Sequence, residues 1–288
     1  MKQLVVLSGK GGTGKTSITA ALARLAPAVL VADADVDAPN LHLLLRSQRV
    51  RPGAREFAGG LEVLLDERAC DGCGDCARVC RFSAVELVEV GSGSQARFDA
   101  FACEGCGLCA RICPTRAISM RRRIAGTIQV CDTEVGPLVR ADLRVAEENS
   151  GRLVAEVRRL AAELARAEHR ELVLVDGPPG VGCPAIASLS GADAALLVTE
   201  PTPAGLADLE RVVELTAHFG IATAVVLNKV DLYPPAEAAI LDLCAARNLQ
   251  YLGAIPYDPA FHAAARAGRT AVDVGTPALA GRLLRLWE

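Results

Sequence analysis

Apolar residues in this chain come in short runs. QLVVLS (3–8), AVLVADADVD (28–37), ELVLVDGPPG (171–180), DAALLVTE (193–200) and IATAVVLNKVD (221–231) are aliphatic and bounded by Gly, Pro, Asn or Asp. Each is apolar on both faces, the mark of strands covered above and below. Between them, Thr16 to Leu25, 151–167 and 204–218 repeat their apolar positions at helical spacing. Strands alternating with helices predict an α/β fold with a mostly parallel sheet.

The stretch 62–123 breaks this rhythm. RVRPGAREFAGG (49–60) precedes it and reads as a linker. The stretch carries eight of the eleven cysteines in two copies offset by 33 residues, CDGCGDCARVC (70–80) and CEGCGLCARIC (103–113). Gly72, Gly74 and Ala77 pair with Gly105, Gly107 and Ala110 at the same offset. The predicted organisation is one domain of residues 1–60 plus 125–288, and a small α+β insert at 62–123.

Each copy is C-x2-C-x2-C-x3-C. That spacing lets three thiolates wrap one corner of a cubane while the fourth reaches a second cluster. One cluster would use Cys70, Cys73, Cys76 and Cys113, and the other Cys103, Cys106, Cys109 and Cys80. The alternative is a pair of zinc sites, which more often join two C-x2-C knuckles. Of the remaining cysteines, Cys244 lies in an Ala/Leu-rich helical stretch and reads as core. Cys131 has no assigned role. Cys183 is a small buried residue or, with a second copy, a shared metal ligand.

Composition narrows the partners. Of 288 residues, 51% are hydrophobic and 23% charged, with net charge −3. A slightly acidic chain has no general attraction to nucleic acid or anionic membrane. Its one basic run, Arg121-Arg122-Arg123, reads as a solvated face. Neither a signal peptide nor a spanning segment is evident, so a cytoplasmic location without stable membrane insertion is expected. The C-terminal ALAGRLLRLWE (278–288) is weakly amphipathic and reads as a packing helix. Lys and Arg total 31, yet only Lys2, Lys10, Lys15 and Lys229 are lysines. Aromatics are 3%, so Ala, Leu and Val must build the core.

GKGGTGKT, Gly9 to Thr16, follows a strand and opens a helix, the context a phosphate loop requires. Backbone N–H groups around Gly11, Gly12, Thr13, Gly14 and Lys15 would cradle phosphates, with Ser17 just inside the helix. Lys15 would pair with the β- and γ-phosphates, and the Thr16 hydroxyl would bind Mg2+.

The early Lys10 gives this loop a form that resembles the MinD/ParA family, which includes the nitrogenase iron protein. The resemblance implies that Lys10 crosses the interface of an ATP-sandwiched homodimer. By the same resemblance Asp33 and Asp35 support Mg2+ and orient water, while Asp37 has no fixed role. Asp176 would hold the Mg2+ shell and the Gly180 N–H sense the γ-phosphate. Asn228 would bond the base, and IPYD (255–258), with Pro256 and Asp258, close over adenine. Asn228 to Asp231 also fits N-K-x-D, in which Asp231 reads guanine; ATP is favoured over GTP.

The doubled cysteine run resembles bacterial two-[4Fe–4S] ferredoxins, with Pro114 after Cys113 but Arg81 after Cys80. The whole chain thus resembles MinD-type ATPases with an inserted ferredoxin domain. Expected cofactors are ATP, Mg2+ and two [4Fe–4S] clusters. The function set first is an ATPase whose dimerisation couples ATP to electron transfer toward an unidentified electron-transfer or iron–sulfur partner protein. An ATP-dependent cluster or metal carrier is the alternative, and a MinD/ParA-like positioning ATPase is set last.

Overall fold

The computed structural model describes residues 1–144 and 150–287 and divides the chain into two compact units. The first comprises Met1–Arg55, Ile128–Asp142 and Asn149–Glu288; the second comprises Glu56–Thr127 and Leu143–Glu148.

In unit one, β1 (Lys2–Ser8) leads through the glycine loop into α1 (Lys15–Leu25), and β2 (Val29–Asp33) into a short α2 (Leu41–Leu44) and β3 (Arg49–Val50). Chain order continues with β4 (Arg55–Leu65), α3 (Asp75–Val79), β5 (Val85–Val90), β6 (Gly93–Phe98) and α4 (Leu108–Ile112). The long β7 (Ile118–Asp132) is followed by β8 (Pro137–Leu143), α5 (Ser150–Ala167), β9 (Leu172–Pro179) and α6 (Cys183–Leu189). The remaining elements are β10 (Ala194–Thr199), α7 (Pro203–His218), β11 (Ala222–Asn228), α8 (Ala236–Ala246), β12 (Gln250–Ile255), α9 (Ala260–Ala267), α10 (Ala271–Val274) and α11 (Pro277–Trp287).

The main sheet runs β12-β11-β10-β1-β9-β2-β8-β7-β3. Its pairings from β12 through β8 are parallel, as both-face apolar strands require. Alternate residues serve opposite faces. Val6, Val29, Val31, Leu174, Leu196, Val198 and Val226 share one core with α1 and with Leu279 and Leu283 of α11. Val5, Leu7, Leu30, Val173 and Val175 are fully buried as well. The leucine stripe of α11 is therefore committed to packing, with Leu279 and Leu283 buried. Among the described residues no helix is long and apolar enough to cross a membrane.

Unit two is built from the 33-residue repeat. Each copy runs strand, cysteine loop, short helix, strand: β4–α3–β5, then β6–α4–β7. The halves exchange strands, β5 with β6 antiparallel and β4 with β7. Backbone bonds repeat reciprocally, Asp66 N to Ala117 O at 2.8 Å and Asp99 N to Ala84 O at 2.9 Å. Ser83 and Arg116, also 33 apart, both adopt positive φ. The segment read as a linker at 49–60 is instead largely strand, β3 and the first half of β4, with 51–54 between them. Its Gly-Gly pair disguised the alternation Phe57, Gly59, a pattern whose inward positions carry too little side chain to register as apolar.

The cysteine loops depend on glycine. Gly72 and Gly105 have φ of 71° and 63°, and a Cβ on either would lie 2.2 or 2.1 Å from the carbonyl oxygen of Ser94 or Leu61. Gly107 shares the positive φ, 75°, but its Cβ would meet nothing closer than 3.9 Å. Gly105→Ala should therefore cost about 3 kcal/mol, from strain plus a clash with immobile backbone, and Gly107→Ala only about 1 kcal/mol, from strain alone. Denaturant unfolding of the two variants checks the order.

Candidate functional site

The glycine loop between β1 and α1 borders a cavity of about 350 Å³. Gly11, Gly12, Thr13, Gly14, Lys15, Thr16 and Ser17 line its floor. Gly12 and Gly14 hold φ of 83° and 95°, turning the chain so that α1 starts at the loop. Its first-turn N–H groups are then open to an anion.

Lys15 reaches back beneath the loop to Asp176 within β9. Nζ lies 2.9 Å from Oδ1 and 3.7 Å from Asp35 Oδ2. Thr19, one turn along α1, donates to the same Asp176 oxygen at 2.9 Å. Asp176 is fully buried, and its second oxygen, Oδ2, has no hydrogen-bond partner. A buried carboxylate oxygen without a partner costs free energy that a hard cation would offset. With the Thr16 hydroxyl nearby, 3.4 Å from Lys15 Nζ, this donor set suits Mg2+.

Asp33 is also fully buried. It takes backbone N–H bonds from Leu41 (3.0 Å) and Asp35 (3.3 Å). Burial, then the charge on Asp176, pushes its carboxyl up to about 7. Burial opposes the charge of Lys15, but Asp176, Asp35 and Asp33 outweigh it and hold the ammonium above its ordinary value. Asp35 is raised, chiefly by burial, against the pull of Lys15. Asp37 is exposed.

Asn228 and Asp258 line the cavity, and the expected residues take the following partners. The Gly180 N–H is engaged by the Ser8 carbonyl at 2.8 Å. Asn228 donates through Nδ2 to Thr13 O at 2.7 Å, bracing the loop from β11, and its Oδ1 is buried without a partner. Asp231 does not line the cavity; it accepts the Tyr257 N–H at 2.6 Å and fixes the loop after β12. Asp258 bonds the Ala260 N–H at 2.8 Å, at the start of α9. Pro256 precedes Tyr257, which with Phe261 and His262 supplies the aromatic wall of the cavity. Tyr257 and His262 ring centres lie 6.0 Å apart. Tyr257 lies within the IPYD stretch expected to close over adenine, whereas Phe261 and His262 of α9 belong to no motif and carried no signal in the sequence. Gly9 packs so tightly that a Cβ would sit 2.3 Å from Asp208 Cβ of α7.

Lys10 turns away from the cavity. Its Nζ lies 2.5 Å from Glu200 Oε1 and 3.5 Å from Thr202 Oγ1 of its own chain. Glu200 Oε2 lies 3.3 Å from Lys229, whose Nζ donates to Gly12 O at 2.7 Å. Lys229 adopts φ of 58° to do so. Sequence reasoning missed Glu200 and the bracing role of Lys229; the scarcity of lysine was the available signal.

In unit two, Cys70, Cys73, Cys76 and Cys113 line one small cavity, and Cys80, Cys103, Cys106 and Cys109 line another. The Ala84 N–H points at Cys80 Sγ, 3.4 Å away. Among the described residues no group of three or more His, Cys, Asp or Glu converges closely enough to hold a single metal ion. Cys131 and Cys244 are buried, and Cys183 is exposed, contrary to its reading as a small buried residue.

Residues 4–271 match the family model of the CobQ/CobB/MinD/ParA nucleotide binding domain. The chain belongs to that family. An uncharacterized protein of Methanocaldococcus jannaschii is 34% identical over 231 residues, 79% of this chain and 78% of that one. Among solved structures, MinD of Pyrococcus horikoshii in complex with Mg-ADP superposes with a TM-score of 0.59 at 19% identity, covering 99% of this chain and 94% of that one. The MinC:MinD complex of Aquifex aeolicus gives 0.57 at 20% identity, with 99% and 94% covered. These likenesses concern the fold. Together with the family match they correct the function set first. Family and fold bear out the MinD/ParA-type resemblance and point to the MinD/ParA-like ATPase function that the sequence reading placed last, behind electron transfer and cluster carriage. The cysteine spacing had outweighed a phosphate loop whose family runs through most of the chain.

The raised Asp33 carboxyl gives a pH signature. A group whose folded value lies above its unfolded one binds its proton more tightly when folded, so its contribution to stability declines as pH rises from about 4 through about 7. Chelator-treated, nucleotide-free protein should lose stability between pH 6 and pH 8, and Asp33→Ala should lose less. Urea midpoints at the two pH values measure the difference.

Proposed function

We propose that this chain is an ATP-dependent switch of the MinD/ParA kind, an ATPase that pairs with a second copy when it holds Mg-ATP and engages a partner protein in that state. The observation that carries the reading is the buried Lys15–Asp176 pair beneath the glycine loop, with one Asp176 oxygen left open. Lys15 would neutralise phosphate charge. Asp176 and Thr16 would hold Mg2+, which supplies charge stabilisation at the transferring phosphoryl group. Asp35, half-buried beside Lys15, would orient water. The MinC:MinD complex is a fold neighbour that works with a partner protein, and that mode of action is extended here by analogy.

Adenine is the favoured base. Reading guanine through N-K-x-D needs the aspartate aimed at the base, and Asp231 is spent on Tyr257 outside the cavity. The wall of Tyr257, Phe261 and His262 offers stacking surface, which any base accepts. Asp231 supplies the discrimination by being absent from the cavity.

The cysteine sets of unit two suit two [4Fe–4S] clusters better than two zinc ions, because four thiols surround a space and do not converge on a point. Their role in this reading is architectural. Among the described residues Cys76, Ala96 and Ile118 form a small buried cluster in this unit, and Cys70, Cys109 and Cys113 are among the partly buried residues packed against it. In so small a unit ligated clusters would tie the cysteine loops to this core and add to its folding energy.

Purified protein should hydrolyse ATP with Mg2+ and bind ATP at least tenfold more tightly than GTP; Asp176→Ala should lose Mg2+-dependent hydrolysis by about 10²-fold or more. Equal binding of the two nucleotides removes the base assignment, and Mg2+-independent hydrolysis removes the Asp176 role. Anaerobic preparations should carry about eight iron and eight sulfide per chain, and removing them should make unit two protease-sensitive while nucleotide binding survives. Zinc in their place, or an unchanged digestion pattern, defeats the architectural reading.

A further inference from the structure

Three of the four lysines of the chain surround the phosphate loop, and one carboxylate serves two of them. Glu200, at the end of β10, is mostly buried, with its side chain 13% exposed. Its two oxygens are divided: Oε1 to Lys10, Oε2 to Lys229. Burial raises its proton affinity, but the hydrogen bond and charge of Lys10, with the charge of Lys229, outweigh burial and keep it ionised. Lys229 is anchored independently, on the Gly12 carbonyl. Lys10 has no anchor of that kind; among the described residues its other side-chain contact is Thr202 Oγ1 at 3.5 Å, and its side chain is 33% exposed.

The asymmetry has an energetic consequence. Removing one partner of a buried ion pair is costly because it strands the other charge. Here Lys10 can leave without stranding Glu200, since Lys229 remains on the second oxygen. Lys10 can therefore be released, and Lys229 stays to brace the loop. Lys10 also does not line its own chain's cavity, so an anion that competes for it must come from elsewhere.

We propose that Glu200 is a latch: it holds Lys10 within its own chain and sets how readily two nucleotide-loaded copies pair. The inference rests on the homodimer reading above. Glu200 is a positioning residue, acting through Lys10. When two loaded copies approach, the phosphates of the second copy and the carboxylate of the first compete for one ammonium. Charge-assisted hydrogen bonds are about twice as strong as neutral ones, and a third-exposed lysine feels only part of that strength.

The test uses the full chain with Mg2+ and a non-hydrolysable ATP analogue. Sedimentation velocity gives the pairing constant, and a fluorescent ATP analogue gives nucleotide saturation in parallel, so pairing is compared at equal saturation. Glu200→Gln keeps the shape and removes the charge; it should pair about five- to tenfold more tightly than wild type. Lys10→Ala should pair weakly, and adding Glu200→Gln to it should bring no gain. Pairing by Glu200→Gln that is unchanged or weaker, while wild type pairs, overturns the latch and leaves the homodimer standing. A gain that persists in the Lys10→Ala background overturns it too, because Glu200 would then act through something else. If neither wild type nor Glu200→Gln pairs at full saturation, the homodimer reading falls and the latch with it.

Discussion

Two opposite charges, Lys15 and Asp176, meet at 2.9 Å with almost no solvent at either. Neither could be buried alone. Removing one partner of such a pair costs about 3–5 kcal/mol, since the other is left uncompensated. Satisfying both requires β1, the loop, α1 and β9 to be in place together, because Lys15 comes from one end of this arrangement and Asp176 from the other. The sheet register then fixes a second consequence. Asp33 is the parallel partner of Asp176 across β2 and β9, so two acids stand side by side beneath one lysine. Burial comes first in raising the Asp33 carboxyl, and the charge on Asp176, which one ammonium does not fully offset for both acids, adds to it. A site with that surplus of negative charge is prepared for a divalent cation before any nucleotide arrives.

Unit two solves a different problem. Several of its large apolar side chains, Leu61, Phe82, Leu87, Phe101 and Leu108 among them, are exposed and add little to a core, and its symmetry comes from its own repeat. The paired positive-φ residues Ser83 and Arg116 and the reciprocal bonds at Asp66 and Asp99 show the same turn executed twice. Gly72 and Gly105 press against carbonyls of other strands, so close backbone contact helps to fix each cysteine loop, beside the packing of Cys70, Cys76, Cys109 and Cys113.

Five sheet strands of unit one, β1, β2, β9, β10 and β11, were legible because burial on both faces writes a continuous aliphatic run, and the glycine loop because phosphate binding tolerates few alternatives. The cysteine pattern was equally plain. What was not legible lay where a residue's partner is set by tertiary structure. Asn228 and Asp231 sit in a motif with a known ligand, yet one braces Thr13 and the other Tyr257. The strand at 55–65 was hidden by Gly59 and Gly60, whose positions alternate correctly but carry no side chain to show it. Glu200 was invisible because a lone acid at a strand end has no sequence signature; only the convergence of two lysines on it gives it meaning.

That convergence also explains why lysine persists here in a chain that otherwise prefers arginine. A guanidinium at position 10 would take both oxygens of Glu200 in a bidentate fork. It would displace Lys229 from Oε2 and loosen the brace on Gly12. It would also be far harder to release, since two parallel bonds would have to break together. A compact ammonium uses one oxygen and leaves the other occupied. At position 15 the argument is steric: the buried space under the loop accommodates a single point charge against Asp176 Oδ1, with Thr19 sharing that oxygen. Lys15 is therefore held for chemistry and Lys10 is held so that it can leave, and both tasks exclude the residue that the rest of the sequence favours.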